Sequence, residues 1–209
     1  MQLIKSIKFK LFFTMFAIAF IGCKSESVEI NESNFSKGTD EPVEVIHASQ
    51  NIDVKSYHGL EDVFQNSSEI STKNKYLFMV FGKNNCPYCE KLKRDLKSNT
   101  EARDYLKKNF SNYYINISYD KMHHVVFGEQ NDLQSADIST RELSQNLYTI
   151  YGTPTLIFSD KTGKTIFEIP GYVPSDVFMK VLAFVNGGNW SAGETQKDRM
   201  KLLFEYIKN

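Results

Sequence analysis

The sequence has no excess of either charge. Its 25 lysines and arginines face 25 aspartates and glutamates. That excludes the basic stripe of a nucleic-acid surface, and no long block carries one sign. Cysteine is scarce, with three residues in a chain of 209. Three cannot build a disulfide scaffold, and no second close pair completes a four-cysteine zinc site. Internal repeats and low-complexity tracts are missing as well. Apolar runs are short. Residues 11–21, LFFTMFAIAFI, fall below the ~20 apolar residues that a membrane-spanning helix needs. What is present is ordinary for a soluble globular protein, with 41% hydrophobic and 24% charged residues. The length suits one domain with extensions.

The N-terminus does carry a pattern. Lys5, Lys8 and Lys10 precede the apolar run, and residues 1–22 contain no acid. This is the charged and then apolar layout of an export signal. Phe20-Ile21-Gly22-Cys23 resembles a bacterial lipobox, in which a small residue precedes a cysteine that is lipidated and becomes the new N-terminus. Gly22 and Cys23 fit, whereas Phe20 departs from the usual leucine. An uncleaved single-pass anchor is the alternative. Either places the remaining chain outside the cytoplasm, periplasmic or extracytoplasmic and tethered to a membrane. Cleavage before Cys23 would leave 22 basic and 25 acidic residues. Residues 23–56, including KSESVEINESNFSKGTDEP, have no hydrophobic period and are expected to be a flexible tether.

From residue 57 onward, periodicity marks elements. Tyr57, Leu60, Val63 and Phe64 fall at helical spacing, so a helix is expected within residues 57–72. Residues 77–81, LFMVF, suit a buried strand. Cys86-Pro87-Tyr88-Cys89 then opens a helix, where Pro87 fits the first turn because its missing N–H has no partner there. A second helix is expected over 101–108 and a strand over 113–117. Residues 119–138 read as an insertion or long loop. Residues 139–151 return to a helix pattern, which Gly152 would end. Strands over 155–158 and 164–169 flank a turn at 160–163 and form a hairpin. A helix follows over 177–185. Gly187-Gly188 breaks the chain, and a last helix covers 195–208. The order implies an α/β fold, a small mixed sheet covered by helices with parallel crossovers and a late antiparallel edge.

The close cysteine pair carries the chemistry. A helix N-terminus offers free N–H groups and positive potential, which favour thiolate over thiol. Cys86 is the expected nucleophile. Cys89, one turn later, is placed to resolve a mixed disulfide. An inert staple would gain little entropy across so short a loop. A metal would need two more ligands, and His123 and His124 point in different directions on regular structure. No metal or cofactor is implied, and both histidines are expected in solvated or loop positions.

Strand, CPYC and helix, followed by Gly152-Thr153-Pro154-Thr155 opening a hairpin and by Gly171-Tyr172 before a helix, resemble the thioredoxin superfamily over residues 57–187. The nearest likeness is to exported SoxW-type thioredoxin-like proteins, which share CPYC and GTPT; residues 188–209 resemble their helical tail more weakly. The resemblance implies a cis Pro154 facing the cysteines. It also implies a Thr153 backbone that pairs with an extended substrate, and substrate contacts from Pro87 and Tyr88. It implies a thiol–disulfide oxidoreductase that reduces protein disulfides as a monomer, fed by a membrane thiol electron carrier. Val80 stands where thioredoxin has a buried aspartate. Lys83 or Glu90 could assist proton movement, although both are expected to face solvent. Rivals are direct glutathione use, suggested by Pro-Tyr but disfavoured by export, an oxidase, and a non-catalytic binding module on the same scaffold. The tether is too short and polar for the dimerisation domain of an isomerase. The insertion either shapes partner choice or is decoration.

The lipobox likeness generates a direct expectation. Cys23→Ser should release the protein from the membrane or leave the signal uncut. Mass spectrometry of membrane-extracted protein should find a lipid on Cys23, and an unmodified Cys23 there would sink the idea.

Overall fold

The computed structural model describes residues 53–209. The expected signal at 1–22, Cys23 and residues 24–52 lie outside the described residues. Seven strands are described: β1 (Glu69–Ser71), β2 (Tyr76–Gly82), β3 (Phe110–Asn116), β4 (Met122–Glu129), β5 (Asp132–Ser139), β6 (Thr155–Ser159) and β7 (Thr165–Pro170). The helices are α1 (Pro87–Ser98), α2 (Thr100–Asn109), the single turn α3 (Thr140–Glu142), α4 (Ser175–Asn186) and α5 (Gln196–Lys208). Among the described residues no helix is long and apolar enough to cross a membrane.

A four-stranded sheet runs in the order β3-β2-β6-β7. β2 and β3 are parallel, while β6 is antiparallel to both β2 and β7. The crossover from β2 to β3 runs through α1 and α2, as parallel strands require. Asn99 serves both helices. Its backbone N–H closes α1 on Asp95, and its side chain accepts from Ala102 N to start α2. The same side chain donates to Ser175 Oγ at 2.8 Å, which fixes the start of α4.

Alternation along the strands creates two cores. Phe78 and Val80 of β2, Tyr114 of β3 and Phe158 of β6 face α1, α2, α4 and α5. Leu77, Met79 and Phe81, with Tyr113 and Ile157, face the other way. On the helical side Phe158 stacks on Phe78 at 5.1 Å and meets Phe167 at 5.4 Å and Phe110 at 6.3 Å.

The second core is where the sequence expectations need correction. Residues 119–138 are not a loop. They form most of a hairpin, β4 and β5, and β1 pairs parallel to β4 to complete a three-stranded sheet. Ile70 and Val125 from this sheet pack with Leu143 and Tyr148 against the face of β2 that the helices leave uncovered. The insertion is therefore a wall of the core rather than decoration. Its attachment also fixes a glycine. Gly163 has φ +90°, and a Cβ there would overlap the Phe127 ring of β4. Left-handed backbone and close approach both demand glycine at that turn.

No helix spans residues 57–72. Val54–Tyr57 is a single tight turn, and residues 69–71 are β1. Tyr57, Leu60, Val63 and Phe64 are all buried, but as contacts of the helical-side core from irregular backbone. The expected helix over 139–151 is also short. It opens with a Ser139–Glu142 capping box, widens into a π-type turn over Leu143–Leu147, and stops at Tyr148 rather than at Gly152. Thr149, at φ +49°, makes the reversal instead. The expected flexible tether takes in residues 53–56, and the structure places these otherwise. Asp53 is buried, pairs with Lys121 at 3.0 Å and accepts from Ser67 Oγ, so residues 53–56 belong to the folded body. At the other end, α5 is seated on the domain, with Leu203 buried and Arg199 donating to the Thr165 carbonyl.

Phe158 touches three aromatic rings in a core without slack. Phe158→Ala should destabilise the protein by about 3–5 kcal/mol. Urea unfolding would show this as a lower midpoint at unchanged slope, and a loss below about 1 kcal/mol would contradict the packing described.

Candidate active site

β2 is buried along its length and ends at Gly82. A Cβ on Gly82 would overlap the Tyr114 hydroxyl from β3, so the strand can leave the sheet only as glycine at this point. Asn85 then turns in the left-handed region, at φ +54°. Cys86 follows as the N-cap of α1, with Pro87 at the first helical position. The site's placement is thus set by a buried strand on one side and a capped helix on the other.

Cys86 and Cys89 are joined as a disulfide, with Cα atoms 5.2 Å apart. Cys86 is 3% exposed and Cys89 is fully buried. The Cys89 backbone N–H donates to Cys86 Sγ at 3.2 Å. That donor is one of the free N–H groups at a helix start, and in the reduced protein it would stabilise a Cys86 thiolate. The Thr153–Pro154 bond is cis. Cys86 Sγ lies 3.4 Å from the Thr153 carbonyl oxygen, and the Thr153 hydroxyl points at the same sulfur from 3.5 Å. Residues 67 apart in sequence are therefore in contact. Pro154 O accepts from Gly171 N at 2.7 Å, which ties the start of β6 to the end of β7.

The other expected residues fall into place less uniformly. Pro87 and Tyr88 are exposed beside the disulfide, Tyr88 at 62%. Lys83 and Glu90 face solvent, and Glu90 pairs with Lys93 at 2.7 Å. Val80 is fully buried in the helical-side core, so an apolar side chain occupies that position under the site. His123 and His124 sit on opposite faces of β4. His124 is exposed and meets Asp137. His123 is not solvated as expected. It is buried between the Ser67 carbonyl and the Thr140 hydroxyl, and burial pushes its pKa down. Among the described residues no cluster of three or more His, Cys, Asp or Glu is placed to hold a metal.

One feature has no sequence signal beyond the Gly171-Tyr172 pair. The Tyr172 ring stacks on Tyr88 at 6.4 Å, carries Lys91 Nζ over its face at 4.4 Å, and donates its hydroxyl to a carboxylate oxygen of Asp95. Asp95 lies 77 residues away in sequence, so neither periodicity nor local spacing could pair them. The hydrogen bond to Asp95 requires the phenol proton, and together with some desolvation it pushes Tyr172 up to about 12. The protonated form is the one favoured by folding, so this contribution is present below pH ~10 and fades as pH rises through the folded value.

Ultraviolet titration of wild type minus Tyr172→Phe should therefore show a phenolate appearing near pH 12 rather than near 10. Asp95→Asn should bring it back toward the ordinary tyrosine value. A wild-type transition already at the ordinary value would mean that the Asp95 contact is not made in solution.

Comparison with known proteins follows the same lines as the geometry. A thioredoxin-fold protein from Helicobacter pylori, whose structural and functional characterization has been described, is 49% identical. The match covers 75% of this chain and 96% of that one, with a TM-score of 0.71. A thioredoxin from Thermus thermophilus is 20% identical over 57% of this chain and 80% of its own, with a TM-score of 0.42. Comparison with curated proteins finds no match. Residues 63–186 match the model of the thioredoxin-like domain family, which takes in β2, the Cys86–Cys89 pair, Pro154 and α4. The chain belongs to the thioredoxin-like domain family.

Proposed function

We propose that the protein is an exported thiol–disulfide oxidoreductase of the SoxW-like kind, held to a membrane through Cys23, which reduces disulfides of extracytoplasmic proteins. The observation that carries this reading is the position of Cys86 Sγ. It has a helix N–H at 3.2 Å and the Thr153 backbone at 3.4 Å. The first favours thiolate, and the second offers an extended substrate segment a place to pair beside the sulfur.

In the reduced protein the Cys86 thiolate attacks one sulfur of the substrate disulfide. A mixed disulfide forms, and the other substrate sulfur leaves as a thiolate. Cys89, buried and one turn away, loses its proton and attacks Cys86 Sγ. The mixed disulfide breaks, the second substrate thiol departs, and the Cys86–Cys89 disulfide forms. Two electrons have passed to the substrate, and a dithiol donor must return them; a membrane thiol electron carrier suits an exported protein. Pro87 and Tyr88 flank the approach, and Pro154 holds Thr153 at the sulfur. Retention of both cysteines at this geometry supports an enzyme over a binding module.

The wild type should catalyse dithiothreitol-driven reduction of insulin disulfides, and either cysteine substitution should lower the rate to background. Near neutral pH Cys86 should alkylate before Cys89. Cys89→Ser should trap partner proteins as mixed disulfides in cells, while Cys86→Ser should trap almost none. An inactive wild type, together with a Cys89→Ser variant that captures nothing, would leave the binding-module reading in its place.

A further inference from the structure

The loop that delivers Cys86 has a cationic notch on one flank. It is an open, polar recess of about 340 Å³, lined among others by Lys55, Lys83, Lys93, Asn84, Asn116 and Tyr119. Its walls are built rather than incidental. Asn116 donates to Ser56 Oγ at 2.7 Å and to Asn84 Oδ1 at 2.8 Å, and Asn84 in turn donates to Tyr119 at 2.9 Å. Lys93, largely buried, bonds the Ser56 carbonyl and neutralises Glu90. Lys55 and Lys83 remain. Both are exposed, and among the described residues neither has an ion-pair partner. Among the described residues the notch therefore presents two positive charges without an ion-pair partner.

Its place relative to the disulfide follows from the sheet. Cys86 follows β2, which lies between β3 and β6. Tyr114 and Asn116 line the notch from β3, whereas Thr153 lies one residue short of the start of β6, separated from it by Pro154. The notch and the Thr153 backbone thus flank Cys86 from opposite sides. Asn85, also in the lining, is its chain neighbour. For a polypeptide with its disulfide at Cys86 and one arm along Thr153, the notch is within reach of the other arm. The anions that a polypeptide carries are carboxylates.

We propose that this notch binds a carboxylate of the substrate protein close to its reacting cysteine, so that Lys55 and Lys83 select acidic substrates. The proposal rests on the oxidoreductase reading and adds the substrate's charge to it. Exposed charges of this kind act mainly on encounter and discrimination, and salt screens them.

The test uses disulfide-linked dimers of a short peptide with one cysteine, carrying Asp or Asn at each of the three positions on either side. Reduction by the dithiothreitol-recycled protein is followed at low ionic strength. At one or more positions the Asp peptide should have a kcat/KM about three- to tenfold above its Asn partner. That ratio should shrink in high salt. It should fall to about one in Lys55→Gln/Lys83→Gln, and persist in Lys197→Gln/Lys201→Gln, which removes the same charge from α5. Equal rates for Asp and Asn peptides in wild type would overturn the proposal. So would a ratio that survives loss of Lys55 and Lys83. A lysine-dependent gain seen with oxidised glutathione and with no Asp peptide would assign the notch to small disulfides and overturn it too. Failure to reduce even the Asn peptides would instead defeat the oxidoreductase reading itself.

Discussion

A strand covered on both faces cannot slip. Leu77 to Phe81 are all fully buried, with alternate residues committed to different cores. Moving β2 by one residue would exchange the two sets and break its pairing with both β3 and β6. Everything at the site inherits that register. Gly82 ends the strand beneath Tyr114, Asn85 makes the turn, and Cys86 arrives at the start of α1. Thr153 leads into β6, whose own register against β2 is fixed by Phe78 facing Phe158. The short distance between Cys86 and Thr153 is thus a property of the sheet rather than of either loop.

The two faces of that sheet are closed by different means. Helices cover one, as residues at helical spacing require. The other is covered by a second sheet, in which β1 and β4 pair across a long stretch of chain. Buried polar groups hold this second layer. His123 spans Ser67 and Thr140, while Asp53 takes both Lys121 and Ser67. These groups are costly to bury unless partnered, so their mutual bonds specify one arrangement of the hairpin against the body.

That division explains what the sequence disclosed. The β2 run, the helix opened by Cys86-Pro87, the strand at 113–117, the late hairpin and both C-terminal helices follow local rules of period, capping and turn chemistry. The site cysteines were legible for the same reason. Residues 119–138 were opaque because β4 and β5 alternate weakly. β5 is exposed along most of its length, and β4 buries little besides His123 and Val125. Tyr57, Leu60, Val63 and Phe64 mimic a helical stripe, yet their backbone closes only separate turns, Leu60 N to Tyr57 O and then Val63 N and Phe64 N to Leu60 O, before Gln65 N pairs with Asn112 O of β3. Tertiary pairing overrode period there. The Tyr172–Asp95 contact and the notch depend on residues brought together only by the finished sheet.

The segment that enters the domain also has a mechanical role. Within four residues Asp53 grips Lys121, and Ser56 grips both Lys93 of α1 and Asn116 of β3. Tension applied to the chain ahead of Asp53 meets these fastenings in order, starting at Lys121, just before the central strand of the second sheet. The load is shared there among the start of β4, α1 and β3. A domain fastened this way spreads a pull on its leading end over three elements rather than passing it to one strand.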